Sequence, residues 1–181
     1  LTQGNLRVGK GECRLLLDDL LADAGGLSLI VMPPHDMPAN NLPDLMPLLA
    51  RLRQAAPGAL WLGATMRRRG DDRRRLAGLK ALAAKAGVPL LATNDVLDHH
   101  PDERDLQDVL TCIREGVTVE TAGRLLEANA ERHLKGPGEM VRLFRAAPEA
   151  VEETAAYLAC LDFSLGELKY EYPEEPVPPG Y

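Results

Sequence analysis

The chain has 181 residues, of which 45% are hydrophobic, 27% charged and 4% aromatic. That suits one ordinary globular domain with a small appendage and argues against a mainly disordered chain. The net charge of −6 argues, taken alone, against a nucleic-acid binder, but it is unevenly spread. Residues 1–90 carry 13 basic and 8 acidic groups, and residues 91–181 carry 8 and 19, which points either to a basic face in the first half or to an acidic connector in the second.

In chain order, Cys13, Leu16, Leu17, Leu20 and Leu21 recur at helical spacing, and Gly25-Gly26 stop that helix. Residues 27–32 read as a buried strand ended by Pro33-Pro34. Leu45, Leu48, Leu49 and Leu52 form the next helical stripe, with Pro47 required in its first turn. Residues 59–64 predict a second strand. Asp71 or Asp72 then opens a helix with Leu76, Leu79, Ala83 and Ala86 on one face and Gly87 as its stop. Residues 88–93 predict a third strand. Strands alternating with helices at this spacing predict a parallel sheet with right-handed crossovers. It is either a small open sheet or the later part of a larger barrel.

No further strand is expected beyond Asn94. A helix from Asp102 or Asp105 to Gly116 would turn Leu106, Val109, Leu110 and Ile113 to one face. Residues 118–130 predict a weaker, shorter helix. Pro137 to Arg145 carries Met140, Leu143 and Phe144, and Pro148 opens a helix with Val151, Ala155 and Leu158 inward. Residues 170–181, with four prolines and no periodicity, read as an extended linker.

Cys13, Cys112 and Cys160 lie far apart, without a Cys-x-x-Cys pair. This excludes a zinc ribbon or disulfide scaffold and leaves three buried thiols in a reducing cytoplasm as the expectation. No apolar run is long enough to span a bilayer. No secretory leader opens the chain, and no P-loop, nucleophile elbow, dinucleotide fingerprint or zinc-protease motif occurs. The chain begins Leu1-Thr2-Gln3, without an initiator Met, and is expected to be a piece of a longer protein.

In parallel α/β folds chemistry gathers at the carboxyl ends of the strands. His35, Asp36, Asn94 and Asp95 fall there, as candidates for a metal or phosphate site or as groups that satisfy the turning backbone. Asp95, Asp98, His99, His100 and Asp102 form a cluster of zinc- or manganese-type donors. Side chains of adjacent His99-His100 diverge, which favours a solvated loop. Arg67, Arg68, Arg69, Arg73, Arg74 and Arg75 put six cations in nine residues. They are candidates for phosphate contact, against the alternative of pairing with the chain's own acids.

Several stretches resemble one family. Lys10-Gly11-Glu12-Cys13-Arg14-Leu15, Arg69-Gly70-Asp71-Asp72 and Ala92-Thr93-Asn94-Asp95-Val96-Leu97 resemble bacterial error-prone DNA polymerases, C-family enzymes related to the polymerase III alpha subunit. The run from Leu106 to Glu115, then Asn129-Ala130-Glu131-Arg132-His133-Leu134-Lys135 and Tyr170-Glu171-Tyr172-Pro173, fit the same group.

The resemblance implies a later part of a PHP (polymerase and histidinol phosphatase) domain, a distorted β/α barrel, over residues 1–100. A helical segment over 101–169 and a linker over 170–181 toward an absent palm domain would follow. It implies a parent DNA polymerase acting in translesion synthesis and DNA repair, with DNA, deoxynucleoside triphosphates and magnesium bound outside this chain. No catalytic residue and no cofactor are expected in this piece. Accessory mutagenesis proteins are implied as partners; a membrane is not.

Metal-binding relatives carry Asp-Val-His near the last barrel strand, where Asp95-Val96-Leu97 stands here, and a Cys where Pro33 stands. Leucine and proline offer a metal no lone pair, so Asp95 is a residual ligand position. The alternatives are a PHP-type metal-dependent phosphoesterase and a metal-free interaction platform for accessory proteins.

Overall fold

The computed structural model describes residues 2–169; the linker expected at 170–181 lies outside the described residues. Eleven helices and strands are used below: α1 (Thr2–Leu6), α2 (Leu17–Ala22), β1 (Leu29–Val31), α3 (Met46–Ala55), β2 (Leu60–Ala64), α4 (Asp72–Ala86), β3 (Leu90–Ala92), α5 (Arg104–Glu115), α6 (Val119–Ala122), α7 (Pro137–Leu143) and α8 (Pro148–Ala159). Short 3-10 turns at Ala39–Leu45, Pro101–Glu103, Gly123–Leu125 and Leu165–Glu167 separate some of them. The fold is α/β, with a three-stranded sheet in the order β1-β2-β3. All pairings are parallel, with Leu29 opposite Leu60 and Leu62 opposite Leu90.

Every residue of the central strand is buried, as expected of a parallel strand covered on both faces. Alternation sends Leu60, Leu62 and Ala64, with Leu90 and Ala92, into the main core. There they meet Leu49 and Leu52 of α3 and Leu76, Leu79, Leu82 and Ala83 of α4. Truncating a fully buried leucine such as Leu62 to Ala costs about 2–5 kcal/mol. Trp61 and Gly63 occupy the other face. A Cβ on Gly63 would stand 2.1 Å from the Sδ of Met32 and 3.1 Å from the Cγ2 of Ile30, so a side chain there would displace Met32 and press on Ile30.

α4 ends at Gly87, whose φ of 63° and ψ of 40° are left-handed, a conformation that costs glycine little. Its N-terminus differs from a simple cap. Asp71 is the N-cap residue without a side-chain bond, while the Asp72 carboxylate accepts from the backbone N–H of Arg67 and of Arg69, both at 2.8 Å. Pro47 sits in the first turn of α3 and Pro148 opens α8. Phe144, Ala147 and Ala150 are fully buried in the main core. Lys80 of α4 ties that region down by donating to Ala146 O at 3.0 Å and pairing with Glu149 at 2.8 Å. α8 packs against β3.

Four expectations are corrected. The first helical stripe yields a helix only from Leu17, so Cys13 and Leu16 precede it. Residues 118–130 contain one helical turn and one 3-10 turn, because Gly123 takes a φ of 53° that interrupts the helix. On α5, Leu106, Val109, Leu110 and Ile113 share one face as expected, and that face points outward with 45–72% of their surface exposed, while Thr111 and Cys112 turn inward. On α8, Ala155 and Leu158 are exposed; Val151 is half-buried and Ala150 carries the inward contact. Cys112 is buried, but Cys13 and Cys160 are exposed. No helix among the described residues is long and apolar enough to cross a membrane.

Candidate functional site

The carboxyl ends of β2 and β3 converge on an ion-pair network. Arg67 follows β2, and its side chain is nine-tenths buried. Asp95 follows β3 with a left-handed φ of 47°, a conformation that a non-glycine residue holds only when its surroundings demand it. The Asp95 carboxylate oxygen Oδ2 accepts from the guanidinium of Arg67 and forms an ion pair with Arg132 at 2.8 Å. Arg132 also pairs with Glu127 at 2.6 Å and donates to the backbone oxygen of Asp95 at 2.7 Å. Arg67 lies 3.9 Å from Glu127. Burial, with Arg132 as the largest charge effect, pushes Arg67 below its ordinary value. A buried guanidinium needs paired carboxylates to offset its lost hydration, and Asp95 and Glu127 supply them.

Backbone contacts fasten residues 127–135 over the same strand ends. Asn94 donates to the carbonyls of Glu131 and His133. Asn129 donates to the carbonyl of Arg67 at 2.8 Å. Leu97 N–H donates to Arg132 O, and Asp98 bridges to His133. Asn94 therefore holds a distant segment as well as standing at a strand end. The side chain of Lys135 is wholly buried, 3.2 Å from Glu131 and 3.8 Å from Glu139. Its Nζ also lies 3.1–3.2 Å from the two ring nitrogens of His133.

The six arginines divide. Arg67, Arg68 and Arg69 are paired: Arg68 with Glu131 at 3.4 Å, Arg69 with Glu127 at 3.6 Å. Arg75 is buried and donates to the carbonyls of Pro33, Pro34 and Met37 at 2.7–3.1 Å. Arg73 and Arg74 are exposed, with no ion-pair partner among the described residues. His35 lies in the loop that follows β1. Both its ring nitrogens are buried without a hydrogen-bond partner among the described residues. Burial, then the charges of Arg67, Arg69 and Arg75, push its pKa down. Asp36 lines a neighbouring cleft of about 880 Å³ with Arg69, Arg104, Arg124 and Glu127.

The predicted donor cluster does not converge. His99 and His100 are exposed; His99 pairs with Glu103, and His100 Nδ1 accepts from Asp102 N–H at 3.4 Å as a helix cap. Asp98 is buried apart from them in the bridge to His133. Among the described residues no group of three or more His, Cys, Asp or Glu side chains is placed to hold a metal ion. The Asp95 carboxylate, engaged by two guanidinium groups, does not fit the ligand set of a PHP-type metal. Glu127, Arg132 and Lys135 are site residues that sequence spacing does not single out, because their partners lie far away in the chain.

No family model matches the chain. It is 55% identical over 180 residues, 99% of its length, to an error-prone DNA polymerase of Rhodopseudomonas palustris (strain BisB5), of which it covers 16%. It is 55% identical to the error-prone DNA polymerase of Bradyrhizobium sp. (strain ORS 278) over 96% of its own length and 15% of that protein. The corresponding figures for the error-prone DNA polymerase of Brucella abortus biovar 1 are 55%, 99% and 16%. The chain thus spans about one sixth of the length of these relatives, and along nearly all of its own length it is similar to one segment of the error-prone DNA polymerases.

Proposed function

We propose that this chain is the later part of a PHP-type barrel, with the segment leading toward the palm, of an error-prone DNA polymerase acting in translesion synthesis and DNA repair. The carrying observation is 55% identity along 99% of the chain to proteins of that name, of which it makes up only 16%. Parallel strands joined by helices are compatible with part of a β/α barrel.

On this reading the parent joins deoxynucleotides to a primer on a DNA template. Magnesium for that step is held by carboxylates outside this chain. This piece serves as a scaffold: its charged groups at the strand ends hold one another, and it contributes no reacting group. Accessory mutagenesis proteins are the partners proposed for the parent.

Primer extension tests the reading. The complete protein is expected to extend a primed template with magnesium, including past a lesion, and the 181-residue chain alone is expected to add no nucleotide. Template-directed extension by the chain alone would place catalysis inside it and overturn the scaffold role. A complete protein unable to extend any primer would overturn the polymerase assignment.

A further inference from the structure

On the proposed PHP-type reading Asp95 stands at a metal-ligand position, and one oxygen of its carboxylate is already shared by two guanidinium groups. Arg67 approaches from the end of β2 and Arg132 from the 127–135 segment, the latter at 2.8 Å. Arg132 continues to Glu127 at 2.6 Å, and Arg67 lies 3.9 Å from the same carboxylate. Two guanidinium groups and two carboxylates thus alternate in a closed ring of opposite charges. Both guanidinium groups meet the same carboxylate oxygen, Oδ2, and a dication at that carboxylate would meet two fixed positive charges.

We infer that the guanidinium of Arg67, with Arg132 opposite it, takes the place of a metal ion at Asp95 and converts a ligand position into a lock that holds residues 127–135 across the strand ends. Replacement of a metal rests on the proposed PHP-type origin; the lock rests on the contacts alone. The backbone agrees with it. Asn129 and Asn94 bond across the same junction, and Asp95 is held in a left-handed conformation that brings its backbone oxygen to Arg132. The charges act on the chain itself, so the site is a positioning device with no chemistry of its own.

The test uses the 181-residue chain with Asp95→Asn, Arg67→Met and the double variant, read by melting temperature and by trypsin cleavage after Arg132. Asp95→Asn leaves a buried guanidinium short of charge. It is expected to lower the melting temperature by at least about 5 °C and to expose Arg132 to trypsin. The double variant removes both charges and is expected to recover at least half of that loss. Losses that simply add would overturn the lock. If Asp95→Asn does not fold, a folded double variant still supports coupling, and an unfolded one counts against it.

Separately, dialysed wild-type chain is titrated with manganese or zinc alone. No bound metal and no change in melting temperature are expected; one tightly held ion per chain would overturn the replacement of the metal. Failure of primer extension by the complete protein would strike the polymerase reading and leave these results standing.

Discussion

The indole N–H of Trp61 donates to Oε1 of Glu153 at 2.9 Å, joining the central strand to α8 across 92 positions of sequence. Tyr157, one turn further along α8, meets the same indole edge-on, with ring centroids 5.0 Å apart and planes at 87°. The bond satisfies the only hydrogen-bonding group of a buried tryptophan, and the edge-on ring adds a quadrupole contact. Together they fix α8 to the central strand.

Trp61 is the only tryptophan in the chain, so its fluorescence reports this junction directly. Glu153→Gln is expected to keep the bond in weaker form, and Glu153→Ala to leave a buried N–H unpaired at a cost of about 1–3 kcal/mol. The emission maximum should shift further to the red in Glu153→Ala than in Glu153→Gln. Chemical denaturation followed by fluorescence checks both; equal stability of wild type and Glu153→Ala would show that this bond adds nothing to the hold on α8.

His35 predicts a pH dependence. Burial and the facing charges of Arg67, Arg69 and Arg75, opposed only by Asp71, lower its folded pKa. The unfolded chain therefore takes up this proton first as pH falls. The contribution is complete above the ordinary imidazole value of about 6.5 and is lost as pH drops through it toward the folded value. Melting temperature should fall between pH 7 and 5, and His35→Gln should flatten that part of the curve. A second, separate loss belongs to Asp19, held down to about 2 by Arg7 and the Leu16 N–H. Its contribution is present at neutral pH and disappears as pH falls from the ordinary carboxyl range toward 2. An unchanged pH 5–7 slope in His35→Gln would remove His35 as its source.

The arginine run gives a prediction in two parts. Arg73 and Arg74 are exposed, without ion-pair partners among the described residues, and are the members available to phosphate. Neutralising both in the complete protein should weaken DNA binding to a similar degree on all sequences. It should also flatten the salt dependence by roughly 0.7–0.9 for each phosphate that is no longer neutralised. Arg75→Met should instead destabilise the chain, because three carbonyls between Pro33 and Met37 lose a charged donor. Equal affinity and salt slope in the double variant would remove Arg73 and Arg74 from the DNA interface.

These side chains also mark how far the sequence could be read. The strand–helix alternation was legible because its signals are local: Pro33-Pro34 after β1, Asp71-Asp72 before α4, and Gly87 and Gly116 after α4 and α5. The orientation of α5 was not. The stripe Leu106, Val109, Leu110 and Ile113 has the spacing of a buried face, yet it points outward while Thr111 and Cys112 pack inward. Periodicity shows that an apolar stripe exists and is silent about which side of the helix meets the sheet. The charged ring was illegible for a related reason. Asp95 and Arg132 are 37 residues apart, and Asn129 reaches a carbonyl 62 residues away. No window of local pattern spans such distances. The arginine run could be seen, but its division into paired and free members depends on acids from Glu127 to Glu139 that arrive only through the fold.

The sheet edge supplies the last prediction. Among the described residues β1 pairs with β2 alone, and its three residues are only half-buried. In a parallel strand the backbone groups that do not face β2 point outward along the edge, where they template pairing with another chain. The exposed Leu15, Leu16, Leu20 and Leu27 add apolar surface on the neighbouring segments. The 181-residue chain is therefore expected to self-associate at micromolar concentration, and sedimentation velocity should show species heavier than 19.7 kDa. Ile30→Pro removes one N–H donor from β1 and should reduce association if the edge is the contact. Because it can also disturb the fold, Ser28→Lys, placed just before the strand, serves as the milder blocking charge. A wild-type chain that sediments as a monomer across the concentration range would show that this edge is already protected within the chain itself.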